Sequence, residues 1–266
     1  MRINLLTLGD CNDPNTWSNL PYYFYRNLLA HSVDVRPIDL TPSQNTVWST
    51  LNHLRSLQAR ALSLIRPGYG SDPLRSRAFH LLVNRHLRSM ARQLNDADLN
   101  LFLTFSFSSS RYAWAPVIHY CDRTYEHYLE ERQQTPSRFD RAFIRIDRQN
   151  IESADLVLTT GELCADFIRS RYNAKRVICL RGGNNTDLNV TNPDSLINRK
   201  EHSTDILFVG RGVQKRGVDI LIRAFTLFNQ RHDGRFTLHI VGVQPTELPE
   251  DLRATDPNIS FHGYLD

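Results

Sequence analysis

Short apolar runs of strand length alternate with longer stretches that carry apolar residues at helical spacing. The strand-like runs lie at residues 2–8, 33–38, 99–104, 117–120, 155–160 and 176–180. Helical patterns cover residues 18–30, 46–65, 74–94 and 161–172, and Ser18 is the predicted N-cap of the first. Regular alternation of strand and helix is typical of a parallel sheet covered on both faces, so we predict an α/β fold.

A polar stretch from Gly182 to Thr204 interrupts this alternation and predicts an interdomain linker. We therefore predict an N-terminal domain over residues 1–183, a linker over 184–204 and a second domain over 205–266. In the second domain, strands are predicted at residues 205–209, 236–241 and 258–261, with a helix at 218–231. The apolar runs at 206–209 and 236–241 are of the kind buried on both faces of a parallel sheet. The region after the linker is about half of a doubly wound domain, since such domains usually exceed about 100 residues, so we expect the second domain to be incomplete.

The composition, 41% hydrophobic and 23% charged over 266 residues, is that of an ordinary globular protein. No apolar run reaches the roughly 18 to 20 residues of a membrane-spanning helix, and the opening residues are too short an apolar stretch for a signal peptide. We therefore expect a cytoplasmic protein. Its four cysteines are scattered singly, which predicts isolated buried or half-buried thiols rather than a zinc site or a disulfide framework.

Arginine supplies most of the positive charge behind the net charge of +4, because Lys175, Lys200 and Lys215 are the only lysines. Eight arginines cluster on two predicted helices around the Pro- and Gly-rich loop at 66–73: Arg55, Arg60, Arg66, Arg75, Arg77, Arg85, Arg88 and Arg92. One interpretation is a surface that holds the protein peripherally at the inner face of an anionic membrane. The alternative is a solvated, salt-bridged surface. Nucleic acid is not an expected partner, because no nucleic-acid-binding motif accompanies this charge.

The most informative stretch runs from Ile206 to Phe225, where a buried strand leads through a glycine-rich turn into a helix. The turn contains three glycines and three cations: Gly210, Gly212, Gly217, Arg211, Lys215 and Arg216. Backbone N–H groups and cations at such a turn suit a phosphate group. A GxGxxG dinucleotide motif is excluded because position 215 is lysine, and a P-loop is excluded because Val218 follows Gly217. The alternative is an ordinary turn with solvated basic residues.

This stretch resembles the retaining nucleotide-sugar glycosyltransferases of family 4, whose second domain begins with Phe-Val-Gly-Arg, a Lys-Gly pair and a helix ending in Ala-Phe. Other segments similar to the family are residues 17–23, 154–160, 236–242 and 259–265. The resemblance implies the GT-B fold, two facing Rossmann-like domains with the substrates in the cleft between them. It also implies transfer of a sugar from a nucleotide diphosphate sugar to a glycan, a lipid-linked sugar or a small molecule, with retention and without a metal or other cofactor.

The resemblance also suggests roles for individual residues in the second domain. Arg211 matches the family arginine that stabilises the donor diphosphate, where negative charge grows in the transition state. The family's lysine falls at Arg216, and Lys215 stands one place earlier, so either cation is a candidate. Gly210, Gly212 and Gly217 shape the same loop and are candidate substrate-binding residues.

Three residues of the first domain are candidates for substrate binding. His119 and Asp122 belong to a short strand and its carboxyl end, the edge where open α/β sheets bind ligands. Asp122 resembles an aspartate that follows this strand in family members and is a candidate for contacting the acceptor, and Trp17 lies in the segment similar to the family after the first strand. The alternatives are that Asp122 caps the next helix and that His119 is a core histidine. The loop after the first strand has only Gly9 where many relatives have paired glycines.

The family's acidic motif, two glutamates separated by seven residues, would fall beyond Asp266, so we expect the 266-residue chain not to transfer sugar by itself. A different interpretation is a noncatalytic glycosyltransferase-like module that binds an anionic membrane or protein partner through the arginine-rich surface. A nucleotide-dependent oxidoreductase is disfavoured, because no GxGxxG motif follows the first strand.

Overall fold

The computed structural model describes residues 1–41, 77–181, 203–253 and 256–265. The chain divides into two compact units, Met1–Thr186 and Asp187–Asp266. The predicted helix at 46–65, the loop at 66–73 and nearly all of the predicted linker lie outside the described residues.

A six-stranded parallel sheet organises the described part of the first unit. Its strands are β1 (Arg2–Thr7), β2 (Asp34–Asp39), β3 (Leu99–Phe102), β4 (Val117–Cys121), β5 (Leu156–Thr159) and β6 (Val177–Cys179). They lie in the order β2-β1-β3-β4-β5-β6. The strand order reverses between β1 and β3, and open α/β sheets bind ligands at the carboxyl side of such a switch point.

Helices cover both faces of this sheet, as the alternating pattern predicted. They are α1 (Leu20–Ala30), α2 (Arg77–Ser89), α3 (Ala91–Asn95), α4 (Tyr125–Glu131), α5 (Arg138–Ser153) and α6 (Glu162–Arg171). One core contains Leu6 and Phe102 of the sheet with residues from α2, α3, α5 and α6. The opposite face buries Leu5 and Leu101 against α1. Successive strand residues point to opposite faces, so neighbouring leucines enter different cores.

The second unit contains three parallel strands in the order β7-β8-β9, which are β7 (Asp205–Val209), β8 (Thr237–Val241) and β9 (Ile259–Gly263). The short helix α7 (Val213–Arg216) and the longer α8 (Val218–Gln230) follow β7. Ile222 and Phe225 of α8 pack on Leu238 and Ile240 of β8. The opposite face of β7 is open, because Leu207 and Val209 are 67% and 69% exposed. The apolar run at 206–209 is of the kind buried on both faces of a parallel sheet, but in the described residues only one face of β7 is covered.

Several predicted boundaries change in the first unit. Helix α1 begins at Leu20, and its N-cap position is Asn19, which has a left-handed backbone at φ 60°. The predicted N-cap Ser18 instead belongs to a 3-10 turn. The helical pattern at 74–94 is interrupted at Met90 and gives two helices, α2 and α3. Helix α4 was anticipated only as the helix that Asp122 would cap, and α5 was not predicted, although Thr124 and Ser137 cap them.

In the described ranges, no helix combines the length and the apolar character that crossing a bilayer requires.

Candidate functional site

Three glycines bring the loops after β7, β8 and β9 together at the carboxyl edge of the second sheet. The N–H of Gly210 donates to the carbonyl of Val241 at 3.0 Å, and the N–H of Gly242 donates to the carbonyl of Gly263 at 2.6 Å. Gly242 has φ 88°, and a Cβ atom there would lie 2.6 Å from the carbonyl oxygen of Gly210. A side chain would therefore force these loops apart.

Arg211 is an exposed side chain that directly follows the glycine after β7. Its guanidinium carbon lies over the ring of Tyr264, 5.2 Å from the ring centroid. In the part of the chain that the structure describes, no carboxylate forms an ion pair with it. A cation held by an aromatic face keeps its hydrogen-bond donors for another group, because this contact uses the charge and not the N–H groups.

Glu247 connects Tyr264 to the loop after β8. The Tyr264 hydroxyl donates to Glu247 Oε1 at 3.1 Å, and this hydrogen bond raises the pKa of Tyr264. The positive charge of Arg211 lowers the same pKa and so offsets part of the increase. The same carboxylate oxygen accepts the backbone N–H of Gln244 at 2.9 Å. Contacts among Arg211, Tyr264 and Glu247 thus link the loops after all three strands. These residues lie far apart in the sequence, so no local sequence pattern predicts the contacts.

A pocket of about 420 Å³ opens against Gly212, the residue that follows Arg211. The residues that line it are Gly212, Val213, Gln214, Glu247, Leu248 and Pro249. Gly212 and Gly217 flank α7 with φ 84° and 70°, a left-handed backbone that favours glycine. The pocket therefore lies against the loop that the sequence singled out for phosphate.

Arg216 is exposed, and its Cγ lies 3.5 Å from where a Cβ on Gly210 would stand. The structure therefore brings Arg216 to the same loop as Arg211. The Lys215 side chain lies outside the described part, so Lys215 and Arg216 both stay candidates for the second cation.

His119 lies inside the core and not at the open edge where the sequence analysis placed it. Its side chain is fully buried in the middle of β4, and Nδ1 is 2.6 Å from the carbonyl oxygen of Thr104. Burial lowers the pKa of His119 to about 4, so the ring is neutral at pH 7 and its Nδ1–H donates to that carbonyl. The structure corrects the substrate-binding prediction for His119 in favour of the core-histidine alternative.

Asp122 and Trp17 lie in loops at the carboxyl edge of the first sheet, after β4 and β1. Asp122 is exposed and does not cap α4, because the Thr124 side chain accepts the backbone N–H of His127 at 3.1 Å. Trp17 lies in a 3-10 turn and is 44% exposed. Both stay candidates for substrate binding.

The cysteines are buried or half-buried thiols, as predicted. Burial raises the pKa of Cys11 to about 11 and that of Cys164 to about 12, so both stay protonated and unreactive at neutral pH. Within the described ranges, no group of three or more His, Cys, Asp or Glu side chains is placed to hold a metal ion.

Comparison with known proteins relates the second unit to sugar transfer. Residues 203–266 match the family model described as "Glycosyl transferases group 1". Among curated protein sequences, no significant match is found.

Two solved structures are similar to the whole chain. A sucrose-phosphate synthase from Thermosynechococcus elongatus has a TM-score of 0.58 at 14% identity, over 100% of this chain and 71% of that one. A UDP-GlcNAc 2-epimerase from Neisseria meningitidis, bound to UDP-GlcNAc, has a TM-score of 0.45 at 14% identity, over 99% and 72%. The two parallel sheets and the likeness to the synthase confirm the predicted fold class, α/β with Rossmann-like units of the GT-B type.

Proposed function

We propose that this protein transfers a sugar from a nucleotide diphosphate sugar to an acceptor, with retention at the anomeric carbon. The match of residues 203–266 to a group 1 glycosyltransferase model supports sugar transfer in general. The proposed acceptor is a glycan, a lipid-linked sugar or a small molecule. The donor carries its own leaving group, so the proposed reaction uses no separate cofactor.

The placement of Arg211 is the single observation that carries this proposal. Arg211 is an exposed cation at the carboxyl end of a parallel strand and has no ion-pair partner in the described ranges, and the next residue, Gly212, lines a pocket. Transfer leaves negative charge on the departing diphosphate, and a preorganised cation lowers the barrier most where charge develops. Arginine suits this role because its planar donors match phosphate oxygens.

The charges along the pocket give the donor an orientation. Arg211 and Arg216 place positive charge at the loop after β7, whereas Glu247 lines the pocket with a carboxylate. A carboxylate repels phosphate and accepts hydrogen bonds from hydroxyl groups. The proposed donor therefore places its diphosphate toward Arg211 and a hydroxyl-bearing ring toward Glu247.

The proposed acceptor contacts belong to the first unit. Asp122 has an exposed carboxylate that suits hydrogen bonding to an acceptor hydroxyl, and Trp17 offers an exposed indole on which a sugar ring can pack. Both residues lie at the carboxyl edge of the parallel sheet, where such folds bind ligands.

Calorimetric titration of the full chain with UDP, GDP and ADP, together with a transfer and hydrolysis assay on matching nucleotide sugars, tests this function. We expect one nucleotide to bind, Arg211→Ala to weaken its binding and the exposed Arg235→Ala to leave it unchanged. No binding of any nucleotide at millimolar concentration would overturn the proposal. Binding without turnover agrees with the expectation that the 266-residue chain does not transfer sugar by itself, whereas turnover of a nucleotide sugar would contradict that expectation.

A further inference from the structure

An exposed stripe of one leucine and three arginines lies along one face of α2 and continues onto α3. Leu81, Arg85, Arg88 and Arg92 are spaced four, three and four residues apart, which places them on one helical face. Backbone hydrogen bonds continue across the junction at Met90, so the two helices present one stripe. Leu81 is 71% exposed, and the three arginines are exposed as well.

The charge of this stripe is not neutralised by any carboxylate in the described ranges. Arg85, Arg88 and Arg92 form no ion pair there, and α2 and α3 contain no acidic residue. Asp96 is the first acidic residue after the stripe. It is bound by Arg2 and Arg36, each at 3.1 Å, and these arginines hold its pKa below the usual range. Its negative charge is therefore already paired with cations outside the stripe.

Trp114 stands at the end of the stripe. Its backbone N–H donates to Asn95 Oδ1 at 2.8 Å, and Asn95 lies three residues beyond Arg92 on the same helical face. The Trp114 side chain is 85% exposed, the largest exposed fraction among the large hydrophobic residues described. A basic stripe thus has an exposed apolar residue at each end, Leu81 and Trp114.

The stripe ends at the amino edge of the first sheet. Asn95 and Trp114 directly precede β3 and β4, whereas the candidate residues Trp17 and Asp122 follow the carboxyl ends of β1 and β4. A large surface bound at Trp114 therefore leaves the carboxyl edge of this sheet open.

From these contacts we infer that Leu81, Arg85, Arg88, Arg92 and Trp114 form a docking surface for an anionic lipid bilayer. Arginines on an exposed face attract acidic headgroups, and tryptophan and leucine insert at the boundary between headgroups and acyl chains. A nucleic acid would use the arginines and the indole but would leave Leu81 exposed to water. The inference rests on the first unit and is independent of the proposed sugar transfer.

Cosedimentation of the full chain with vesicles tests this surface. We expect binding to phosphatidylcholine vesicles that contain phosphatidylglycerol, no binding to phosphatidylcholine alone, and weaker binding as salt rises to 0.15 M, where the screening length is about 8 Å. The triple variant Arg85→Gln, Arg88→Gln, Arg92→Gln should bind on the order of 100-fold more weakly, at about fivefold per arginine. The control Arg176→Gln, Arg231→Gln, Arg235→Gln removes the same charge from exposed positions elsewhere and should bind almost as the parent does.

Fluorescence quenching locates the contact. Brominated acyl chains should quench tryptophan emission in the parent protein and much less in Trp114→Phe, since Trp114 is expected to enter the interface. Equal binding to neutral and acidic vesicles, or an equal loss in the two triple variants, would overturn the inference. Tighter binding to a DNA or RNA oligonucleotide that the first triple variant abolishes would assign the surface to nucleic acid. Matching thermal unfolding of all the variants excludes misfolding as the cause.

Discussion

The guanidinium carbon of Arg211 lies 5.2 Å from the centroid of the Tyr264 ring, and this contact joins the loops after the first and third strands of the second sheet. Tyr264 also donates a hydrogen bond to Glu247, in the loop after the middle strand. The Arg211 guanidinium therefore has an aromatic contact that positions it before any ligand binds. Preorganisation of this kind reduces the ordering that a ligand must supply.

Replacing Arg211 with alanine tests the proposed stabilisation of the leaving diphosphate. In a preparation that transfers sugar, we expect turnover to fall 100-fold or more, because losing one charge-stabilising group raises the barrier by about 3 kcal/mol. Steady-state kinetics measure the effect, with Arg235→Ala as the control. An unchanged kcat/KM would show that Arg211 does not act on the diphosphate. Parallel assays of Lys215→Ala and Arg216→Ala identify the second cation.

Two substitutions at Tyr264 separate its ring from its hydroxyl. Tyr264→Phe keeps the aromatic face under Arg211 and should leave nucleotide diphosphate affinity within about threefold. Tyr264→Leu removes the cation–π contact, worth about 0.5 to 1 kcal/mol at an exposed site, and should weaken binding roughly two- to fivefold. Calorimetric titration measures both values. Equal affinities for the two variants would mean that the ring does not position Arg211.

Gly242→Ala tests the close approach of the loops in the second unit. The residue must keep φ 88°, and its new Cβ would lie 2.6 Å from the Gly210 carbonyl oxygen, so we expect a loss of about 1 to 3 kcal/mol in stability. Gly161→Ala is the matched control, since no atom lies within 4 Å of its Cβ position. Thermal unfolding of the full chain measures the loss of stability. Limited proteolysis shows whether cleavage within residues 203–266 becomes faster. An equal effect of both substitutions would contradict the role of the glycine contact.

Two buried histidines predict a loss of stability in acid. Burial lowers the pKa of both His80 and His119 from the ordinary value of 6.5 to about 4, so both rings are neutral in the folded protein. Below pH 6.5 the unfolded chain takes up protons that the folded protein excludes. The free energy of unfolding is therefore highest above pH 6.5 and falls as the pH approaches 4, by about 1.4 kcal/mol per pH unit for each histidine.

His80→Leu separates this effect from general acid denaturation. The His80 ring stacks on Phe107 with centroids 4.5 Å apart, and neither ring nitrogen has a hydrogen-bond partner among the described residues. The substitution should reduce the slope of stability against pH between 4 and 6.5, whereas exposed His31→Gln should leave it unchanged. Urea unfolding at several pH values measures the slope. A slope in His80→Leu equal to that of the parent would contradict the prediction.

Local sequence patterns predicted the bounds of a strand or helix correctly where a glycine directly precedes or follows the apolar run. The strand predicted at 205–209 has the same bounds in the structure, and the helix predicted at 218–231 ends one residue earlier. Capping signals for α4 and α5 were present at Thr124 and at Ser137, whose side chain and that of Asp140 form a capping box. Those two helices were therefore predictable from the sequence.

Burial and long-range contacts depended on how the strands assemble. The sequence places His119 in a strand, but only the register with β3 and the position of the Thr104 carbonyl put its ring inside the core. Arg211 was identified from its own loop, whereas its partner Tyr264 lies far along the chain and is brought near by the strand order β7-β8-β9. Periodicity and turn chemistry act over a few residues, so the sequence by itself determined most of the helices and strands and placed Arg211 in the glycine-rich loop after β7. Strand order and register depend on how all the helices and strands bury their apolar faces together, and for that reason only the tertiary structure decided which side chains meet.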